Sequence, residues 1–473
     1  MEINEILKII DKNFAYEYKL VPVKILGDKI YFYVLNEDLD VKKNLEALLN
    51  KSLIFQKVDE EKLNRQIKIT YKNKFSIENE INKLNVESDN FMENLDDLNS
   101  PIAKIIDKIV MYSIEKKASD IHFDPYEKYS TIRIRRDGVL KDLVNIKKEI
   151  TLKIISRIKI LSGLDISEKR LPQDGRMTYE NRNLKVDIRV STVPTVFGEK
   201  IVLRILDKIN LNLTFDGIGL KANDRESIEN LIKQPSGLIL VCGPTGSGKT
   251  STIYSILEKI KNHEINIMTI EDHVEYKIEG INQIPVNEKT GLDFEQGLRA
   301  ILRQDPDKIM VGEIRNVETA KIALRSSITG HLVLSTLHTN NSAQAIIRLK
   351  DMGIMNYQIR AGIIGIISQR LVRVLCPHCK IRKHSYVDIF DQEMDYYENG
   401  YCEFCDNGYL GRKEVFEILD FTKIRDKIED LSNLSEIENL AKESGMIELK
   451  ESFKKLLSEG LISLDEVYKN IFH

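Results

Sequence analysis

The stretch Leu238-Ile239-Leu240-Val241-Cys242-Gly243-Pro244-Thr245-Gly246-Ser247-Gly248-Lys249-Thr250 runs from a short apolar segment directly into a phosphate-binding loop. Five apolar residues in a row fit a buried strand. The glycines that follow let the backbone curl tightly enough to aim several N–H groups at one phosphate. Lys249 brings a mobile positive charge for the β- and γ-phosphates, and the Thr250 hydroxyl is a ligand for Mg²⁺. Beyond Ser251, Ile253, Ile256, Leu257 and Ile260 recur at helical spacing, so a helix leaves the loop with its positive N-terminus toward the phosphates. Strand, loop and helix in this order predict nucleoside triphosphate binding by residues 243–251 within a parallel α/β fold.

Outward from the loop, three more apolar runs end in polar groups. Ile267-Met268-Thr269-Ile270 ends in Glu271-Asp272, with Glu275 close behind. Ile309-Met310-Val311 ends in Gly312-Glu313, and Leu332 to Leu337 ends in His338. Ligands of parallel α/β sheets bind at the carboxyl ends of strands, so these groups are expected around the same triphosphate. They would supply Mg²⁺ coordination, a carboxylate to orient water and a polar sensor for the γ-phosphate. No Asn-Lys-x-Asp segment for reading guanine is present, which disfavours a GTPase.

Cys376-Pro377-His378-Cys379 and Cys402-Glu403-Phe404-Cys405 give two C-x2-C pairs across residues 380–401. Four soft thiolates at that spacing suit a closed, structural Zn²⁺ site, with a dithiol redox role as the alternative. The fifth cysteine, Cys242, is expected to be small packing inside the loop.

With 473 residues the chain has room for about three domains. A small N-terminal α/β domain is expected over 1–72, with strand-like runs at Leu20 to Ile25 and Lys29 to Leu35 joined by Gly27-Asp28. An amphipathic helix follows, carrying Val41, Leu45, Leu48 and Leu49. A polar linker follows over 73–100. Ser100-Pro101 then starts a helix with an apolar stripe of Ile105, Ile106, Ile109, Val110 and Ile114. An arginine-rich middle domain is expected over 101–210, with strand-like runs at Thr131 to Arg135, Val186 to Ser191 and Ile201 to Leu206, and a helix from Thr151 to Gly163. The ATPase domain occupies 211–473 and contains the tetracysteine segment 376–405. A net charge of −3 supplies no basic field for nucleic acid. The absence of a long apolar run and of a signal-peptide plan points to a cytosolic protein.

Several long motifs resemble one family. Thr269-Ile270-Glu271-Asp272-His273-Val274-Glu275-Tyr276 looks like the aspartate box of the secretion ATPase superfamily, which serves type II secretion and type IV pilus assembly. Arg299 to Arg315 is similar to its Walker B region, and Gly330 to Asn340 to its histidine box. Ala118 to Pro125, Glu168 to Arg176 and Arg189 to Arg204 resemble its middle domain. The resemblance implies a RecA-like P-loop ATPase domain preceded by an α/β, PAS-like middle domain and a small N-terminal α/β domain. It also implies that Glu275 polarises the attacking water, that Glu313 stands near Mg²⁺, and that His338 senses the γ-phosphate with His331 in support.

The family acts as a homohexamer, and Arg189 and Arg204 match arginines that reach nucleotide held by a neighbouring subunit; Arg176 is a weaker match. Gly408 to Arg412 after the second cysteine pair resembles the tetracysteine module of the assembly branch, which retraction motors lack. The N-terminal unit looks like the C-terminal half of the family's N-terminal domain. His273 replaces the usual proline, and Asn316 a common aspartate.

The implied protein is a cytoplasmic motor, with ATP, Mg²⁺ and Zn²⁺, powering pilin or pseudopilin assembly. It would sit peripherally at the inner membrane through the cytoplasmic part of a platform protein, without direct nucleic-acid contact. The rivals are the ATPase of a DNA-uptake pilus and a non-catalytic nucleotide-gated scaffold; the latter should have lost Lys249, Glu275 or Glu313, and all three are present.

Overall fold

The computed structural model describes residues 12–26, 29–60, 100–181, 184–206, 214–287, 290–402 and 404–471, with isolated positions before 12 and between 61 and 70. The Gly27-Asp28 turn and the polar linker up to residue 99 lie outside the described residues. Contacts divide the chain into two units, Met1–Asp207 and Lys208–His473.

In the first unit, β1 (Leu20–Leu26) pairs antiparallel with β2 (Lys29–Val34), and β2 pairs parallel with β3 (Ser52–Lys57). The parallel pair needs a crossover, supplied by the Leu39–Leu49 helix. Asp38 caps it by accepting the N–H groups of Asp40 and Val41. Leu45 and Leu49 are buried, but Leu48 faces solvent: it lies one position off the 45/49 stripe.

A six-stranded antiparallel sheet follows in the order β6-β5-β4-β9-β8-β7. Its strands are β4 (Asp120–Pro125), β5 (Tyr129–Arg136), β6 (Val139–Lys147), β7 (Gln173–Asn181), β8 (Leu184–Thr195) and β9 (Gly198–Leu206). Ser100 caps the Pro101–Glu115 helix at the Ala103 N–H, 3.1 Å away. Ile102, Ile105, Ile106, Ile109 and Val110 of that helix are buried, whereas Ile114 is only partly so. Together with Ile154, Ile155 and Ile158 of the Lys148–Leu161 helix they cover one sheet face, formed by Ile121, Phe123, Ile132, Ile188, Val190, Ile201 and Leu203. The period of two therefore sends the charged residues of these strands to the opposite face. Strand β7 is not visible as a strand in the sequence because it lies at the sheet edge and buries only Met177.

The second unit is built on a seven-stranded sheet, ordered β12-β11-β13-β14-β10-β15-β18. It comprises β10 (Gly237–Cys242), β11 (Ile267–Glu271), β12 (Asn282–Pro285), β13 (Lys308–Val311), β14 (Leu332–Leu337), β15 (Ile363–Leu375) and β18 (Tyr409–Asp420). All neighbours are parallel except β15 and β18. Apolar clusters pack on both faces, which is why β10 and β14 are buried at every position instead of alternating. Between β15 and β18 the chain forms a hairpin of β16 (Ile381–Val387) and β17 (Gln392–Glu398). No helix among the described residues is long and apolar enough to cross a membrane.

Candidate active site and cysteine cluster

Because β11, β13, β14 and β10 are consecutive in the sheet and parallel, their carboxyl ends share one edge. Gly243 leaves β10 with φ 148°, and a Cβ there would come within 2.5 Å of the Gln369 carbonyl. Gly246 and Gly248 adopt φ of 81° and 91°. Such left-handed positions turn successive N–H groups into one concavity and cost glycine little.

Lys249 begins the Lys249–Ile260 helix and is buried; its Nζ donates to the Gly243 and Pro244 carbonyls at 2.7 and 3.0 Å. Among the described residues no carboxylate stands within ion-pair distance of it. Burial lowers its pKa, with the Glu313 charge opposing. A buried ammonium held only by carbonyl dipoles is a site that gains from an anion, as a polyphosphate provides. Thr250, next in the helix, is exposed. Cys242 is fully buried and its thiol is pushed up to about 12 by burial, so it is inert packing as expected.

The acidic groups cluster next to the loop. Glu313 lies between His338, whose Nε2 is 3.7 Å from the carboxylate, and Arg315, which pairs with it directly. Arg315 also reaches Asp272 at 3.2 Å, so one guanidinium ties the ends of β11 and β13 together. The His338 pKa is lowered by partial burial and by the Lys249 charge, with the Glu313 charge opposing. Glu275 sits on the loop after β11, its backbone N–H donating to the Tyr254 hydroxyl at 3.3 Å.

His331 is elsewhere. It precedes β14 at the amino end, and its Nδ1 and backbone N–H both meet the Ser326 carbonyl at 3.1 Å. His338 follows the carboxyl end of the same six-residue strand, about 20 Å away at 3.3 Å per residue. Within its own chain His331 therefore meets the last turn of the Val317–Ile328 helix and not the phosphate loop.

In the first unit, strand pairing brings the arginines into a single row. Arg176 opposes Arg189, Arg189 opposes Arg204, Arg204 opposes Asp120, and Asp120 opposes Arg135. Directly opposite residues share a sheet face, here the charged one. Arg204 is ion-paired with Asp120 at 3.0 Å and remains largely exposed. Arg176 therefore belongs to the same array as the two arginines preferred from sequence.

The four cysteines converge although 26 positions separate members of the two pairs. Cys376 and Cys402 sulfurs are 3.6 Å apart, Cys379 and Cys405 3.6 Å, and Cys402 and Cys405 3.5 Å. All four sulfurs lie within 4.8 Å of one another. A tetrahedral ion with bonds of about 2.3 Å has edges of about 3.8 Å, so the cluster fits such a metal and is compatible with zinc. Burial and the neighbouring sulfurs push the Cys402 thiol up to about 11 and the Cys379 thiol higher, which is the unfavourable proximity a bound cation would relieve. All five cysteines are free thiols. Residues 381–398 of the spacer form the β16–β17 hairpin, which the sequence reading did not anticipate.

Three residues at the site were also not singled out from sequence. Tyr254 reads as one more apolar position in a helix, and Arg315 as a surface charge. Gln369 is 1% exposed inside β15 and accepts the Thr252 hydroxyl at 2.7 Å beneath the phosphate loop. A polar residue in the middle of so apolar a strand was the available signal.

A family model described as "Type II/IV secretion system protein" matches residues 95–469. The chain is 45% identical over 343 residues to the type II secretion system protein E of Dickeya dadantii (strain 3937), covering 70% of this chain and 68% of that one. It is 38% identical over 485 residues to the type IV pilus assembly ATPase PilB of Acinetobacter baylyi (strain ATCC 33305 / BD413 / ADP1), covering 97% and 83%. Among solved structures, it is similar to the pilus retraction motor PilT with bound ADP, at TM-score 0.52 and 28% identity over 77% of this chain and 96% of that one.

Proposed function

We propose that this chain, which belongs to the type II/IV secretion system protein family, is a hexameric motor that hydrolyses ATP to drive pilin or pseudopilin assembly. One observation carries the enzymatic part. A complete phosphate loop, a buried lysine lacking a carboxylate partner, and Glu275, Glu313 and His338 occupy adjacent carboxyl ends of one parallel sheet. Residues 243–251 hold ATP; Thr250 and Glu313 would be the groups that hold or face Mg²⁺ when it is bound. Glu275 orients water and His338 senses the γ-phosphate. The work is passed at the inner membrane to the cytoplasmic part of a platform protein, so that the chain acts as a peripheral protein on the cytoplasmic side. Service to a DNA-uptake pilus is the same chemistry in another assembly.

The arginine row suits a role between copies. A guanidinium from Arg189 or Arg204 of one copy would neutralise charge developing on a γ-phosphoryl group held by the next. Arginines supplied in this way are worth about 10³–10⁵ in rate. Arg189→Ala and Arg204→Ala are expected to bind ATP and hydrolyse it poorly. Mixing Arg189→Ala with Lys249→Ala subunits should restore part of the activity, because some interfaces then join an intact arginine to an intact loop. Mixed hexamers no more active than either parent, or full turnover by Arg189→Ala alone, would remove the trans arrangement.

The cysteine cluster is proposed to hold one structural Zn²⁺ through Cys376, Cys379, Cys402 and Cys405. Elemental analysis of protein prepared without chelator should find one zinc per chain. Cys376→Ser should lose the metal while fluorescent-ATP binding persists, since the sulfurs stand apart from the phosphate loop in the fold. Zinc-free, folded protein would instead favour the dithiol reading.

A further inference from the structure

We infer that Tyr254 and Glu271 are positioning residues that lock the loop bearing Glu275 onto the phosphate-loop helix. This deepens the reading of Glu275 as the water-orienting group and rests on it.

Tyr254 is 1% exposed, one helical turn beyond Thr250 on the Lys249–Ile260 helix, so the two share a helix face. Its hydroxyl donates to Glu271 Oε2 and accepts the Glu275 N–H at 3.3 Å. Glu271 is buried at the end of β11 and is approached from several sides. Its Oε1 accepts the Thr269 hydroxyl at 2.5 Å and the Gln283 amide at 3.1 Å.

Gln283, on β12, completes the clamp. Its Nε2 also donates to the Tyr276 carbonyl at 3.0 Å, and its Oε1 accepts the Ile278 N–H at 2.7 Å. The backbone on both sides of Glu275 is thereby fastened to one buried network. Residues 272–278 form neither helix nor strand, and no backbone ladder holds them. Side-chain bonds from Tyr254 and Gln283 take the place of that ladder.

Burial, reinforced by Glu271, raises the Tyr254 pKa far above the ordinary phenol range, so the hydroxyl stays protonated and keeps both bonds at any working pH. Neither group is assigned a contact with nucleotide. Their effect runs through the position of the Glu275 carboxylate relative to the phosphate loop. A helix that moves when the loop takes up triphosphate would carry Tyr254, and with it the Glu275 backbone, in the same direction.

Tyr254→Phe keeps the ring in the core and removes both hydrogen bonds. It is expected to lower kcat by about 10²-fold, the scale of a misplacement near 1 Å, with KM and fluorescent-ATP affinity unchanged. In a Glu275→Gln background the same substitution should add no further loss, because its target is already disabled. Hydrogen exchange at the Glu275 amide should become faster. Glu271→Ala attacks the network from the other side with the tyrosine retained, and should show the same kcat-against-KM split.

Wild-type turnover by Tyr254→Phe would overturn the inference, as would an equal loss in the Glu275→Gln background or unchanged exchange at Glu275. In each of those outcomes an active wild type leaves the ATPase reading standing. A wild-type protein without turnover would overturn that reading and this inference with it.

Discussion

A chain carrying Glu275→Gln is expected to keep binding ATP and to hydrolyse it about 10²–10⁴-fold more slowly, the range of a lost general base. The substitution preserves size and the ability to accept and donate hydrogen bonds. The loop is held through the Glu275 backbone N–H and the Tyr276 and Ile278 backbone, none of which changes. Loss is therefore confined to polarising water. Turnover in steady state and titration with a fluorescent ATP analogue separate the two effects. Weakened binding with residual turnover would show that Glu275 contributes to holding nucleotide instead.

Lys249→Ala is expected to remove turnover and leave the fold standing. The lysine belongs to no apolar core cluster, and its Nζ donates to two loop carbonyls. Those carbonyls lose their donor, but a buried charge without a carboxylate partner disappears as well, and the two effects offset in the nucleotide-free state. Nucleotide changes the balance. Removing one preorganised donor to a transition-state oxyanion costs about 10²–10³ in rate, and Lys249 also serves the bound phosphates. Thermal unfolding without nucleotide should occur close to the wild-type temperature, while the rise produced by added Mg-ATP should shrink. Wild-type-like turnover by this variant would mean that the phosphate loop is not the site of hydrolysis.

The two variants also separate binding from chemistry. In the proposed roles Lys249 acts on phosphates already in the ground state, so its loss is expected in both affinity and rate. Glu275 is proposed to act on water, so its loss is expected in rate alone. The difference follows from where each charge stands: Lys249 at the first turn of the helix leaving β10, Glu275 on the loop after β11.

Much of the chemistry was legible in the sequence. The phosphate loop is contiguous, and its glycines, lysine and threonine need only local backbone angles to form their concavity. Each cysteine pair is likewise local, with its two thiols three positions apart. The apolar runs ending in Glu271, Glu313 and His338 were readable as strands because every residue is buried on both faces of a parallel sheet. The ordering β11-β13-β14-β10, however, differs from the order in the chain. That these ends share one edge followed from the general rule for parallel sheets; which ends are neighbours did not.

Periodicity was less informative where burial is one-sided or slight. Strand β7 carries Arg176 but buries a single residue, so no apolar alternation announced it. Its register with β8, and that of β8 with β9, placed Arg176, Arg189 and Arg204 side by side. The histidines show the opposite case: His331 and His338 are close in one motif yet stand at opposite ends of β14.

By itself, then, the sequence determined the groups whose function depends on adjacent residues: the loop at 243–251, the two cysteine pairs, and the strand-ending acids. Only the tertiary structure decided the contacts made across strands and helices. These include the arginine row, the pairing of Arg315 with Glu313 and Asp272, and the tie from Tyr254 through Glu271 to Glu275. The physical reason is range. Dihedral preferences and residue spacing encode a turn or a helix face within a few positions, whereas strand order and register are set by burying apolar faces drawn from the whole unit.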